Sequence, residues 1–503
     1  VARPIQKITI IGRDADAWIS ALMLKLHLAK TSVQVQLVEL PSHLHERDFF
    51  SVLPTQRNLH ELMGLQDERA LLKTSKGLPV LAQRFSSWSG AAAPFLHAYD
   101  TFGVSISGVE FIQCWLKARS QGMNVAVEEF SVGAAAAKQG KFLAFEEAQG
   151  PLAQATYGYH LGALEYLRAI GRLALKAGVT HIRGDINKVN QAEGTISSVE
   201  LVDGQIIESD LFIDASGAEG ALIGSLPGSE YESWGHLFPC DRMITASAPL
   251  LSPFPSFSQN QAFAEGWMGL YPLLNRTGVR ALYSSSMTNA ADVAEKACVL
   301  SGIKLRDIID VPVKTGMHKS PWVGNCIALG DSAASLDYMD ATQMHMLHVG
   351  LTLLRVLLPV DSEQMPESTT FNQRFRAHAE DVRNFQLAHY RLNKRYGELF
   401  WDRARQGEIP QELREKLNLF SSRGKVAMRH NQTFQESNWT ALFLGHGVTP
   451  SSYSPMVDNI SEQELMNVFQ RLLRHIATTV SGMPDMQTHV EINFDSSDNI
   501  YGL

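Results

Sequence analysis

The chain opens on Lys7-Ile8-Thr9-Ile10-Ile11, an apolar and β-branched run that predicts a buried strand. Gly12 turns the chain, Ala17 to Leu28 carries apolar residues at helical spacing, and Val33 to Val38 predicts a second strand ending at Glu39. A second block spans 157–220. Leu161 to Lys176 reads as an amphipathic helix and Ile182 begins a strand. Ile196 to Val202 then pairs through an Asp203-Gly204 turn with Gln205 to Glu208. Leu211 to Ala215 is a buried strand that delivers a small-residue loop at Ser216-Gly217. The same logic recurs at Asn325 to Leu329, with a tight turn at Gly330-Asp331 and a predicted helix from Thr342 to Leu358. From about 370 the pattern is helical and dense in Arg, Glu and Gln, with a Gly/Pro/Ser/Tyr loop at 445–456. The expected architecture is α/β, a Rossmann-like core over 1–365 with a helical C-terminal module over 366–503.

Strand, glycine turn, helix and second strand at 7–39 form a dinucleotide-binding βαβ unit, whose usual turn is G-x-G-x-x-G. Here the three positions are Gly12, Asp14 and Ala17. Alanine is tolerated at the third. The second glycine lets bare backbone approach a pyrophosphate at the helix N-terminus, so a carboxylate there sets like charge against phosphate. Asp16 adds another. Glu39 stands where such units place the acid that bonds ribose hydroxyls.

Composition narrows the classes. The 503 residues are 45% hydrophobic and 19% charged, an ordinary globular balance, and a formal charge of −8 argues against a nucleic-acid binder. Cys114, Cys240, Cys298 and Cys326 are widely spaced, so neither a disulfide framework nor a metal site is expected. No apolar run is long enough to span a membrane, and the expectation is a cytoplasmic protein.

Six segments in order resemble the flavin-dependent tryptophan halogenases. They are IIGRDADAWISALMLKL at 10–26, Tyr157-Gly158-Tyr159-His160, Leu211 to Leu222, Ser233 to Arg242, WVGNCIALGDSAASLDYMDATQMHM at 322–346, and a C-terminal set. The set comprises Trp439, Gly445, Gly447, Pro450, Tyr453 and Pro455. The resemblance implies FAD, supplied reduced by a separate flavin reductase, and an aromatic, indole-like substrate. In that family, reduced flavin and oxygen give a hydroperoxide that oxidises halide. The hypohalous acid then reaches a lysine and a glutamate beside the ring. Dimerisation is left open.

Carried over by position, the resemblance places Gly12, Ala17, Glu39, Asp214, Gly217, Gly330, Asp331 and Thr342 at the cofactor. It places His97, Trp267 and Pro272 in a substrate pocket. Asp340 stands at the glutamate position and Val80 at the lysine position, with Lys76 four residues upstream as the substitute amine. Valine can neither form a chloramine nor donate a hydrogen bond. The strap that should cover the flavin ring is Arg47-Asp48-Phe49-Phe50-Ser51-Val52-Leu53-Pro54, with two phenylalanines where the family has Gly-Glu. The expectations are weak or absent FAD binding and impaired or lost halogenation. The alternative is a non-catalytic halogenase-fold protein that binds a small molecule or a protein partner. His97, Trp267, Pro272 and Asp340 should share one cavity, with Val80 facing it.

Overall fold

The computed structural model describes residues 3–90, 93–143, 156–430 and 432–494. Its first sheet has six strands in the order 322–323, 326–328, 211–215, 7–12, 34–39 and 180–183. The last five run parallel, with Gly12 in register with both Ala215 and Glu39. Ile8, Ile10 and Ile11 are fully buried, as a parallel strand covered on both faces requires. Helices Asp14–His27 and Ala163–Lys176 pack beside it, with Trp18 lying 3.7 Å from where a side chain on Gly171 would begin. The predicted strands at 7–39, 211–215 and 325–329 therefore converge on one cleft.

Alternation alone did not reveal a second sheet of seven strands. Its order is 306–312, 242–248, 277–283, 266–272, 257–263, 82–86 and 95–98. Every pairing in it is antiparallel except 257–261 against 82–86. A small sheet of 49–52, 158–162 and 78–80 lies between the two.

The helix expected at Thr342 starts later, at His345, and ends at Val356. Asp340, Ala341 and Met344 have φ of 61°, 56° and 61°, a left-handed conformation that breaks a right-handed helix. Beyond Ser335 the described residues contain helices and no strand. The longest helix, Glu367–Arg391, buries Phe371, Phe375, Val382 and Phe385 and ends beside the second sheet. Helix Glu436–Gly445 lies against the strand Phe95–Ala98. Among the described residues no helix is long and apolar enough to cross a membrane, and no cluster of side chains could hold a metal ion.

Candidate functional site

Three loops meet at the carboxyl ends of the parallel strands and enclose a cavity of about 430 Å³. Arg13, Asp14 and Asp16 come from the first turn, Ser216 and Gly217 from the second, and Asp331 from the third. Gly12 is required by packing, since a Cβ there would stand 2.2 Å from the Ala215 carbonyl oxygen. Asp14 keeps the left-handed backbone of a glycine, with φ of 57°. Its carboxylate turns towards the loop after the second strand, accepting from the Ser42 hydroxyl and from the His43 N–H at 3.2 Å. The like charge expected over the helix N-terminus is thus partly drawn aside. Ala17 is buried in the helix and does not line the cavity.

Asp16 points across the cleft and accepts from the Asp331 N–H at 3.1 Å. Burial and the neighbouring Asp331 raise its pKa, so this carboxyl tends to hold its proton. A Cβ on Gly330 would meet Asp16 at 2.1 Å, which explains why glycine, with φ of 60°, sits in that turn. Asp16, Asp331, Phe50 and Gln343 also line a second space of about 80 Å³ with Gly330 and Thr342. These four residues divide the cleft into two compartments.

Two carboxylates assigned to the cofactor from the sequence are engaged within the protein. Both oxygens of Glu39 are taken: Trp18 Nε1 donates at 2.9 Å, His181 Nε2 lies at 2.9 Å and Arg183 Nε at 3.1 Å. Those donors hold its pKa below the usual carboxylate range against the opposing effect of burial. Asp214 is fully buried and accepts from the N–H groups of Ser216, Leu222 and Ile223 and from the Ser216 hydroxyl. It shapes the second loop and has no oxygen facing the cleft. Gly217, with φ of 90°, does face the cleft and donates its N–H to Ser332 Oγ at 2.9 Å.

The strap is a strand, Phe49–Val52, paired with Tyr159–Gly162. Phe49 lies beneath it over Gly278, where a Cβ would meet the ring at 2.4 Å, and packs on Tyr271 at 4.8 Å. Phe49 is therefore core under the strap. Phe50 is the ring that reaches both compartments. Ser51 N–H donates to Gln343 Oε1 at 2.7 Å, and Val52 forms a β-bridge with Thr342, so the strap is fastened to the loop opposite. Gln386, which the sequence did not flag, holds that loop from below. Its amide donates to the carbonyls of Asp337 and Met339 and to Thr342 Oγ1, at 2.8, 3.0 and 2.9 Å.

Beyond the loop lies a closed chamber. Asp340 Oδ1 is 3.3 Å from His389 Nε2 and 3.9 Å from His97 Nδ1, and all three side chains are buried. His389 Nδ1 meets His446 Nε2 at 3.0 Å, and Asn438 Nδ2 meets His97 Nε2 at 3.2 Å. Burial raises Asp340 to about 7, with His97 opposing, and lowers His97 to about 4 and His389 to about 3. Neutral His389 carries one proton. It gives it to ionised Asp340 while accepting from His446, or it accepts from protonated Asp340 and donates to His446. Asp340 Oδ2, Tyr99 OH, His97 Nδ1 and His446 Nδ1 are enclosed without hydrogen-bond partners. Burial thus favours the neutral form of each of these groups. The sequence named Asp340 and His97. It missed His389 and His446, which come from the helical module and carry no local signal.

Among the described residues, the expected substrate-pocket side chains are packed against one another and against aromatic rings. None of the five main cavities is lined by His97, Trp267, Pro272, Asp340 or Val80. The side chains of Phe85, Phe385 and Phe434 occupy the surroundings, with Phe85 stacked on His389 at 4.3 Å and Phe385 at 5.4 Å from His97. Trp267 Nε1 donates to the Tyr390 hydroxyl at 2.9 Å, and the Pro272 carbonyl meets His160 Nδ1 at 2.9 Å. Val80 is buried in the strand Leu78–Val80, paired with Gly158. Lys76, named from the sequence as the substitute amine, is solvent-exposed on the turn before that strand, whereas Asp340 is fully enclosed.

A dinucleotide stretched through the cleft fits these residues poorly. Asp16 meets Asp331 across its path, the strap is tied to the opposite loop, and Glu39 is engaged elsewhere. Against known proteins the likeness is nonetheless end to end. The tryptophan halogenase family profile matches residues 7–462. Tryptophan 7-halogenase KtzQ of Kutzneria sp. (strain 744) is 23% identical, covering 97% of this chain and 98% of that protein. BrvH, a flavin-dependent halogenase from Brevundimonas sp. BAL3, superposes with a TM-score of 0.90 at 26% identity, covering 98% of this chain and 99% of that one. Xcc4156, a flavin-dependent halogenase from Xanthomonas campestris, gives 0.91 at 25% identity over the same shares.

Proposed function

The chain belongs to the tryptophan halogenase family, and from that premise we propose that it keeps the family's fold and buried acid, holds FAD weakly and does not halogenate. It acts as a binding protein whose ligand enters the cleft between the three strand-end loops. The observation that carries this reading is the company of Asp340: its close partners are the imidazoles of His389 and His97. An imidazole held neutral by burial does not form the long-lived N-halogen or the ammonium donor that a lysine provides. Without such a group, hypohalous acid has nothing to orient it near one carbon. The partitioned cleft supports weak FAD binding, because each 1.4 kcal/mol of lost contact is about tenfold in affinity. In this reading the protein works in the cytoplasm without nucleic-acid or membrane partners, and a flavin reductase is a partner only if flavin turnover is retained.

The test uses the purified full chain with FAD, a flavin reductase, NADH, bromide or chloride, and a panel of indoles including tryptophan. FAD is titrated separately by calorimetry. The expected results are no halogenated product by mass spectrometry and a dissociation constant well above the low-micromolar range. Halogenated product, or low-micromolar FAD binding, would overturn the reading.

A further inference from the structure

Arg280 is a buried cation without an anion. It lies in the middle of the strand Thr277–Tyr283, opposite Thr245 on one side and Gly269 on the other, and is only 5% exposed. Its Nη2 donates to the Phe49 carbonyl at 2.6 Å, while Nη1 is enclosed and has no partner. The guanidinium stands 4.0 Å from the centre of the Phe49 ring, 5.1 Å from Tyr338 and 5.6 Å from Tyr271. Ring faces attract a cation but do not neutralise it.

Among the described residues, a carboxylate whose charge acts on Arg280 is Asp48. That carboxylate is already engaged, accepting the His45 N–H at 2.7 Å with Thr245 Oγ1 at 3.5 Å. Burial pulls the guanidinium pKa down, yet an arginine stays charged where a lysine would neutralise. An unpaired buried charge is tolerated only when something pairs with it. Arg280 lines the 430 Å³ cavity, and Arg47, on the same wall, also has an enclosed Nε without a partner.

We propose that Arg280 anchors a small organic oxyanion, a carboxylate or a phosphate monoester, in this cleft, with Arg47 lining the same cavity. Oxyanions suit the donor because a guanidinium N–H makes short charge-assisted bonds to carboxylate and phosphate oxygens. The half-polar wall of Phe50, Tyr338, His43 and His45 leaves room for a body larger than the anionic head. The inference deepens the reading above, since it gives the cleft a ligand class once FAD is set aside.

The experiment follows thermal unfolding and calorimetric titration of the full chain in Tris with sodium phosphate, sodium acetate or sodium chloride at constant ionic strength. Phosphate or acetate is expected to raise the unfolding midpoint saturably and chloride is not. Arg280→Met should weaken oxyanion binding at least tenfold, and Arg280→Lys should retain part of it. Should Arg280→Met fail to fold, the side-chain signals of ¹⁵N-arginine in the unaltered protein give a second readout, with one enclosed guanidinium shifting as phosphate is added. No saturable response to either oxyanion, an equal response to chloride, or an unchanged response in Arg280→Met would overturn the proposal. FAD titrated in parallel separates the two readings. Low-micromolar FAD binding beside an oxyanion response lost in Arg280→Met overturns only the earlier one.

Discussion

The strand-end cleft and the Asp340 chamber share a wall, the loop 337–344, yet they have diverged in opposite ways. In the cleft the backbone is conservative. Asp14 and Gly330 both stand at positive φ, and Gly12 keeps its close approach to Ala215. The side chains there are what departs from a nucleotide site, and each is compensated nearby: Asp14 by Ser42 and His43, Asp16 by the Asp331 N–H. In the chamber the acid is surrounded by side chains from distant elements, His389 and His446 on helical segments and Phe85 on a strand. An open site can change one residue at a time, because water satisfies what is left over. A closed site changes as a set, since every orphaned polar group costs free energy.

The sharpest way to break this contrast is His389→Leu. Leucine leaves Asp340 Oδ1 with only the more distant His97 and takes away the partner of His446 Nε2. It should cost about 3 kcal/mol in urea unfolding, from two buried groups losing partners at roughly 1–3 kcal/mol each. A loss below about 1 kcal/mol would mean that water enters the chamber and that it is not closed.

Next in size is the response to pH. Asp337, Asp340 and Asp381 are buried with pKa raised to about 7, so the folded state holds protons that the unfolded chain has released. Stability therefore falls as pH rises from about 6.5 to 8, by about 2 kcal/mol in all. Below the ordinary histidine value the sign reverses. His60, His97, His160, His345 and His389 are lowered to between about 3 and 4, so the unfolded chain binds the extra protons and acid destabilises. The raised carboxylates, Asp100 at about 6 among them, act in the opposite sense over that range, so the acid limb is shallower than the histidines alone would make it. Unfolding midpoints at pH 5, 6.5 and 8 check this, and Asp340→Asn should flatten the alkaline limb.

The smallest effect belongs to the cleft. Asp14→Gly relieves a left-handed aspartate, worth about 1–2 kcal/mol, and gives up the bonds to Ser42 and His43, worth a similar amount. Net stability should move by less than about 1 kcal/mol, while FAD affinity rises by about tenfold through the lost like charge. A large loss of stability would show that the cleft, too, is a coupled set.

Much of this was legible along the chain. The strands at 7–12 and 211–215 and the turns after them follow from short-range pattern, and their convergence follows from the parallel-sheet rule. The site was less legible because its decisive contacts are remote. Arg280 sits in Thr-Gly-Val-Arg-Ala-Leu-Tyr, where alternation suggests an ordinary strand residue. Its burial comes from the register of two neighbouring strands and from Phe49 folded over it. Glu39 was read as a ribose ligand from its place after the second strand, yet its partners lie at Trp18, His181 and Arg183. Val80 and Lys76 were set apart by side-chain chemistry alone, and the structure adds that the first is buried and the second exposed.

The bonds of Glu39 also bear on what a substitution could do here. This carboxylate stitches the end of the second strand to the helix beside it and to the outermost strand of the sheet. Turning it towards a sugar would deprive an indole, an imidazole and a guanidinium of their shared acceptor at once, before any nucleotide contact was gained.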